Sequence, residues 1–374
     1  MGISTGHALE PKKIVVYNWT EYLPEGALDA FTQESGIEVE YQTYTSNEEM
    51  YARVKSQDGA GIDVIVPSTY YISKMQTEGL LQTLDLTRIY NFHQLTPGLL
   101  NRSFDPGNKF SLPYLWGSTG IGINTAKIDP NRIHSWADLW NPEWAGRVML
   151  TDDVREVFHV GLSMKGYSTN TQDAYEIRAA FRQLRTLMPS VSVIDGDSPG
   201  QIYLDGKADI GMIWSGEAFQ ANQQNPAIEY IYPEEGAVFW IDSFAIPANS
   251  KNSKEAHRFI DFMIGMEMAI RSVEELGYAT ANGFARSQLP EDIRNNPIIF
   301  PDPERVAKGE FQEDPGTEAT QLLDSYWQRL RKEIQQPSPA TATATPPALL
   351  TPSAVSPEPP ESPASSNGND HVPE

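Results

Sequence analysis

From Ile14 to Gly79, short apolar runs alternate with amphipathic stretches in the order strand, helix, strand, helix, strand. That order constrains the fold more than any other feature, because it calls for a mostly parallel sheet with helices on both faces. Ile14-Val15-Val16-Tyr17-Asn18-Trp19 reads as a short buried strand. Pro24 opens a helix with the apolar stripe Ala27, Leu28, Phe31, and Gly36 stops it. Ile37–Tyr44 alternates as a strand. Ser46 with Glu49 reads as a capping box for a helix carrying Met50 and Val54. Asp63–Pro67 is a third strand, Ser68-Thr69-Tyr70-Tyr71 follows it, and a helix through Met75 stops at Gly79. In such sheets ligands bind beyond the C-terminal strand ends. Trp19–Tyr22 and Ser68–Tyr71 stand at that kind of place.

A second stretch carries chemistry. Val238–Pro247 is apolar enough for a buried strand, yet Asp242 sits near its middle. Residues two apart on a strand share a face, so Trp240 and Asp242 project together. A π-face beside a carboxylate is half of a site for an organic cation. The same pairing recurs where Tyr17, Trp19 and Glu21 share one parity, provided strand geometry persists to Glu21. Ala208–Trp214 is another strand with an aromatic at its end, running into Ser215-Gly216-Glu217. Thr151–Phe158 starts a helix whose first turn holds Asp152, Asp153 and Glu156. Capping accounts for one or two of these acids. Asp153 and Glu156, three apart, lie on one helical face.

Between these stretches the chain is simpler to read. Leu112–Asn124 is extended and glycine-punctuated, as a segment crossing between lobes is. Ser135 caps a short helix, and Trp136, Trp140 and Trp144 read as core. Val148–Leu150 is a strand. Thr171 or Asp173 caps an amphipathic helix to Met188, Asp197 or Ser198 caps the next, and a further helix spans Ser253–Met268. From Gln335 the composition shifts to proline, alanine, serine and threonine, which builds no core and predicts disorder.

The excess of 50 acidic over 28 basic residues gives a formal charge of −22. This disfavours nucleic acid and anionic membranes as partners and favours cations. With no cysteine there are no disulfides, thiolate metal sites or cysteine nucleophiles. The histidines have no metal-ligand spacing, and neither a cofactor nor a metal is expected. No apolar run is long enough to span a bilayer. Met1–Lys13 lacks the apolar core of a signal peptide. Paired carboxylates with tryptophans also occur in glycosidases, so a carbohydrate-processing enzyme stands as an alternative, as does a receptor of the same fold for another solute. No nucleophile elbow or phosphate loop is present.

Over nearly all of residues 14–333 the chain resembles the spermidine/putrescine-binding receptors of bacterial ABC transporters. The motifs are Tyr17-Asn18-Trp19-Thr20-Glu21-Tyr22, Val66-Pro67-Ser68-Thr69-Tyr70-Tyr71, Leu150–Phe158, Gly211-Met212-Ile213-Trp214 and Phe239-Trp240-Ile241-Asp242-Ser243. The resemblance implies a non-enzymatic receptor of the periplasmic binding protein type II kind: two α/β lobes with a hinged ligand cleft. Lobe 1 would comprise 14–116 and 245–290, lobe 2 would comprise 117–244 and 291–334, with an extension 1–13 and a disordered tail 335–374. It implies aromatic walls from Trp19, Tyr22, Tyr70, Trp214, Trp240 and Tyr278, and polar contacts from Thr20 and Ser68. Glu21, Asp153, Glu156 and Asp242 would take the ammonium groups, and Gln312 would add a hydrogen bond at one end. It further implies spermidine in preference to putrescine, an inner-membrane permease partner, a periplasmic location and a monomer. The chain departs from the family at Ala279 and Ala281, where prolines are common, and in its leader and tail.

Overall fold

The computed structural model describes residues 12–335. In chain order the elements are β1 (Lys12–Trp19), α1 (Ala27–Ser35), β2 (Ile37–Tyr44), α2 (Asn47–Ser56), β3 (Val64–Ile65), α3 (Thr69–Thr77) and β4 (Ser111–Asn124). Then come β5 (Val148–Thr151), α4 (Val154–Ser163), α5 (Ala174–Leu187), β6 (Val191–Asp195), α6 (Pro199–Leu204), β7 (Ile210–Trp214), α7 (Ser215–Gln224), β8 (Ile228–Ile231) and β9 (Val238–Ala245). The last are α8 (Ser253–Ile264), α9 (Met266–Leu276), β10 (Ala279–Thr280), the short α10 (Gly283–Gln288), α11 (Glu291–Arg294) and α12 (Pro303–Lys308), β11 (Glu310–Phe311) and α13 (Thr317–Gln335).

The strands join in the order β2-β1-β3-β9-β4-β7-β5-β6, with β8 and β10 paired to β4 and β11 to β9. As the alternation of strands and helices demands, β1 is parallel to both β2 and β3, and β5 is parallel to β6 and β7. The long β4 links the two halves. It gives Leu112, Tyr114 and Leu115 to one hydrophobic core, with β1–β3, β9, α1–α3 and α8. It gives Ile121 and Ile123 to a second core, with β5, α4 and α5. β9 runs antiparallel to β4, and its Trp240, Ile241 and Phe244 pack in the first core.

Several local expectations are refined. β1 already begins at Lys12; residues 1–11 of the expected extension lie outside the described residues. Ser46 caps α2 by accepting the Glu49 N–H, but Glu49 turns back to the Thr45 N–H rather than to Ser46, so the box is not closed. Tyr70 and Tyr71 lie in the first turn of α3 and not on a strand extension. The single helix expected over Ser253–Met268 is two helices, because Gly265 takes an extended backbone (ψ 154°) and caps the first. Of the two candidate caps for α5, Asp173 does the work by accepting the Tyr175 N–H. Trp136 and Trp144 are core, whereas Trp140 is only partly buried.

No helix at 317–335 was expected, yet α13 closes the second core with Leu323, Tyr326, Trp327 and Leu330. Tyr326 stacks on Phe181 at 4.3 Å. Each such buried leucine contributes roughly 1.5–3 kcal/mol. Only Gln335, the last residue of α13, is described of the stretch expected to be disordered.

Candidate functional site

A cavity lies where strand ends and helix starts from both cores converge. Twelve of the thirteen residues expected from the sequence line it, from Trp19, Thr20, Glu21 and Tyr22 after β1 to Gln312 after β11. Tyr70 is the exception. Its ring is buried in the first core, and its hydroxyl donates to Asp153 Oδ2 at 3.1 Å. The reason is helical geometry: Tyr70 sits in the first turn of α3 and supports the carboxylate from behind. Gly196, Asp197 and Glu217 line the cavity as well and were not expected to. Glu217 was visible as an acid just past the Trp214 strand end, and Asp197 was read only as a helix cap.

Asp242 is the best-defined group. Strand alternation places it beside Trp240, and both are buried. Gly117 faces Trp240 across the β4–β9 pair, and a Cβ there would lie 2.7 Å from the indole. Glycine is therefore what admits the ring. Asp242 Oδ1 accepts from Ser68 Oγ at 2.6 Å and Oδ2 from Tyr22 OH at 2.8 Å. Burial outweighs these two bonds and pushes its pKa up to about 7.

Asp153 caps α4. Its Oδ1 takes the Arg155 and Glu156 N–H groups, so the capping role and the site role use different oxygens. Burial raises its pKa. Glu156, in the first turn, accepts from Thr151 Oγ1 at 2.9 Å and from the Trp214 indole N–H at 2.9 Å. Burial first, then the neighbouring Asp153 carboxylate, pushes it up to about 8. Asp152 points elsewhere and pairs with Arg331. Arg155 also turns away: it bonds the Glu313 and Thr169 carbonyls and the Asn170 side chain, and lies over the Tyr70 ring.

Aromatic rings complete the walls. Tyr278 meets Tyr22 and Trp240 edge-on, with centroids 5.5 and 5.3 Å apart. The Trp19 indole N–H is tied to the Val66 carbonyl at 2.9 Å, which fixes the plane of that ring. The parity argument fails beyond Trp19. β1 ends there, Tyr17 is buried in the core beneath the Arg53 guanidinium, and Glu21 reaches the cavity from a left-handed turn (φ 51°). Gln312 is buried, and its amide nitrogen has no partner among the described residues, although the side chain lines the cavity. Among the described residues no lysine, arginine or histidine lines this cavity. Asp242 and Glu156, held by neutral donors and flanked by π-faces with no cationic partner among the described residues, make a receptor surface for an amphipathic cation.

If Tyr70 acts only by holding Asp153, Tyr70→Phe should fold normally and lose about 0.5–1.5 kcal/mol of cation affinity, the worth of one hydrogen bond. A hundredfold or greater loss in a calorimetric titration would place the hydroxyl on the solute itself.

The α/β architecture and the cavity between two cores define a solute receptor of the periplasmic binding protein type II kind. Residues 26–301 match the family model for bacterial extracellular solute-binding proteins, and this chain belongs to that family. It is 45% identical over 331 residues to the spermidine/putrescine-binding periplasmic protein of Salmonella typhimurium, spanning 88% of this chain and 95% of that protein. A Listeria monocytogenes structure assigned to a spermidine/putrescine ABC transporter superposes with a TM-score of 0.82 at 34% identity, over 86% of this chain and 99% of that one. PotD from Streptococcus pneumoniae, solved with calcium and HEPES, gives 0.73 at 36% identity, with the same coverage. The carbohydrate-processing alternative is thereby set aside. Among the described residues no helix is long and apolar enough to cross a membrane.

Proposed function

We propose that this chain is an extracytoplasmic receptor that captures a polyamine, spermidine in preference to putrescine, and hands it to the permease of an ABC transporter. The observation that carries the reading is the pairing of buried, uncompensated carboxylates (Asp242, Glu156) with aromatic walls in one cavity. Ammonium groups supply the missing charge, and methylenes lie on the rings. The names of the relatives point to the same ligands and to a periplasmic location. We take the receptor to work as a monomer, with the solute contacting the pocket residues named above.

The lobes proposed are 14–116 with 245–290 and 117–244 with 291–334, hinged where β4 and β9 pass between the cores. Calorimetric titration with spermidine, putrescine and a neutral oligosaccharide tests the function. Both amines should bind and the sugar should not; binding of the sugar alone would overturn the reading.

Closure has its own marker. Gly216, at the start of α7, packs so close to Tyr278 that a Cβ would lie 2.4 Å from its ring. Tyr278 belongs to the first core. Gly216→Ala should therefore keep the lobes apart. Overpacking of this kind costs about 1–3 kcal/mol, so spermidine affinity should fall roughly ten- to a hundredfold. Small-angle scattering of the variant at saturating spermidine should show a more extended particle than the parent. Matching profiles and affinities would mean that the α7–Tyr278 contact is no part of closure.

A further inference from the structure

The carboxylates of the cavity fall into two groups by the elements that carry them. Asp153 and Glu156 open α4 and Asp242 stands on β9. Glu217 lies in the first turn of α7, against the Gly200 N–H. Trp214 stands between the groups. Its indole N–H reaches Glu156, while its backbone begins α7, in whose first turn Glu217 lies.

The Glu217 end is built for a charge it does not have. Glu217 Oε2 accepts the Gly200 N–H at 3.0 Å, and no donor among the described residues reaches Oε1. Asp195 satisfies the loop by taking the Asp197 and Ser198 N–H groups, which leaves the Asp197 side chain free to line the cavity. Gly196 and Gly200 hold the loop close: a Cβ at Gly200 would lie 2.9 Å from Glu217 Oε2. Among the described residues no cationic side chain lines this end either. Burial pushes Glu217 up to about 7, against the one stabilising Gly200 N–H, with the Glu21, Asp195 and Asp197 charges adding to the rise. Tyr278 packs alongside and stays protonated.

We infer that Glu217, assisted by Asp197, takes the terminal ammonium of a triamine on the α7 side of Trp214, and that it is the residue by which this receptor prefers three nitrogens to two. This rests on the polyamine reading given above. A diamine seated on the Asp153, Glu156 and Asp242 group leaves the Glu217 end unfilled. A triamine lies along Trp214 and fills both.

The test is calorimetry of Glu217→Gln and of the parent with spermidine and with putrescine. Each is run near pH 7 in two buffers of different ionisation enthalpy, so that protons released on binding are counted. The variant should lose tenfold or more in spermidine affinity and less than threefold for putrescine. It should also release fewer protons with spermidine than the parent does, a change that a merely structural role for Glu217 would not produce. The melting temperature of the free variant should equal or exceed the parent's, since a buried carboxylate has been removed. Equal losses for both amines, or an unchanged proton count, would overturn the inference. If the parent itself binds neither amine, the polyamine reading falls instead, so the two failures are distinct.

Discussion

Asp242→Asn should cost this receptor ten- to a hundredfold in spermidine affinity and leave its fold intact. The two donors on Asp242, Ser68 and Tyr22, are neutral hydroxyls. They orient the carboxylate without cancelling its charge. Burial wins over both bonds and lifts the group to about 7, from a usual value near 4. At about 1.4 kcal/mol per pH unit, holding it ionised in the empty cavity costs on the order of 4 kcal/mol. A bound ammonium removes that penalty. Asparagine keeps the volume and can still pair with both hydroxyls, but it offers no charge, and a hydrogen bond to a charged group is worth about 1.5–3 kcal/mol. The same change should raise the melting temperature of the free protein at alkaline pH, where the parent has to keep the carboxylate ionised. If the variant binds spermidine as the parent does, Asp242 is a structural strand residue and the cation must be held elsewhere.

The features legible in the sequence were those with short-range causes. Strand parity is local, so Trp240 and Asp242 were placed on one face from spacing alone, and the structure puts them there. The capping preference of Asp153 was equally local. What failed did so where the backbone left its regular period. The pairing of Tyr17 with Glu21 assumed a strand that ends at Trp19, and the left-handed turn at Glu21 breaks the count. Tyr70 was placed at a strand end when it begins a helix, which turns its hydroxyl onto Asp153 rather than into the cavity.

The residues that sequence reading missed share another property. Gly196 and Asp197 reach the cavity through a loop whose shape depends on Asp195 accepting two backbone N–H groups. Glu217 needs Gly200 to approach it closely. Neither arrangement has a periodic signal. α13 is a different case: Ala319, Leu323, Tyr326, Trp327 and Leu330 repeat at helical spacing, so this helix was legible in the sequence and was passed over. Its reason to exist is the face of α5 that it covers, 148 residues back in the case of the Arg178–Tyr326 contact.

Affinity and stability should move in opposite directions with pH. Asp242 and Glu217 are raised to about 7 and Glu156 to about 8, each by burial first, and burial raises Asp153 too. Behind Asp153, Glu48 in the first turn of α2 is also raised to about 8 by burial and by the Asp153 and Asp324 charges. These groups hold protons in the folded, ligand-free protein that the unfolded chain has already released above about pH 4.5. Stability follows the difference in bound protons, so their contribution is fully present in acid and is lost as pH rises toward 8. The free protein should therefore melt higher at pH 5.5 than at pH 7.5. A polycation reverses the preference, because it stabilises the carboxylates and expels their protons. Between pH 5.5 and 7.5 spermidine affinity should rise by about a hundredfold or more, since each group that must ionise contributes up to tenfold per pH unit below its pKa. The span of pKa values means a gradual rise rather than one midpoint. Titrations at pH 5.5, 6.5 and 7.5 with matched ionic strength measure the rise directly, and thermal melts of the free protein in the same buffers give the opposing trend. An affinity flat across this range would mean that the carboxylates are already ionised in the empty cavity, and that the missing counter-charge is supplied by something other than the solute.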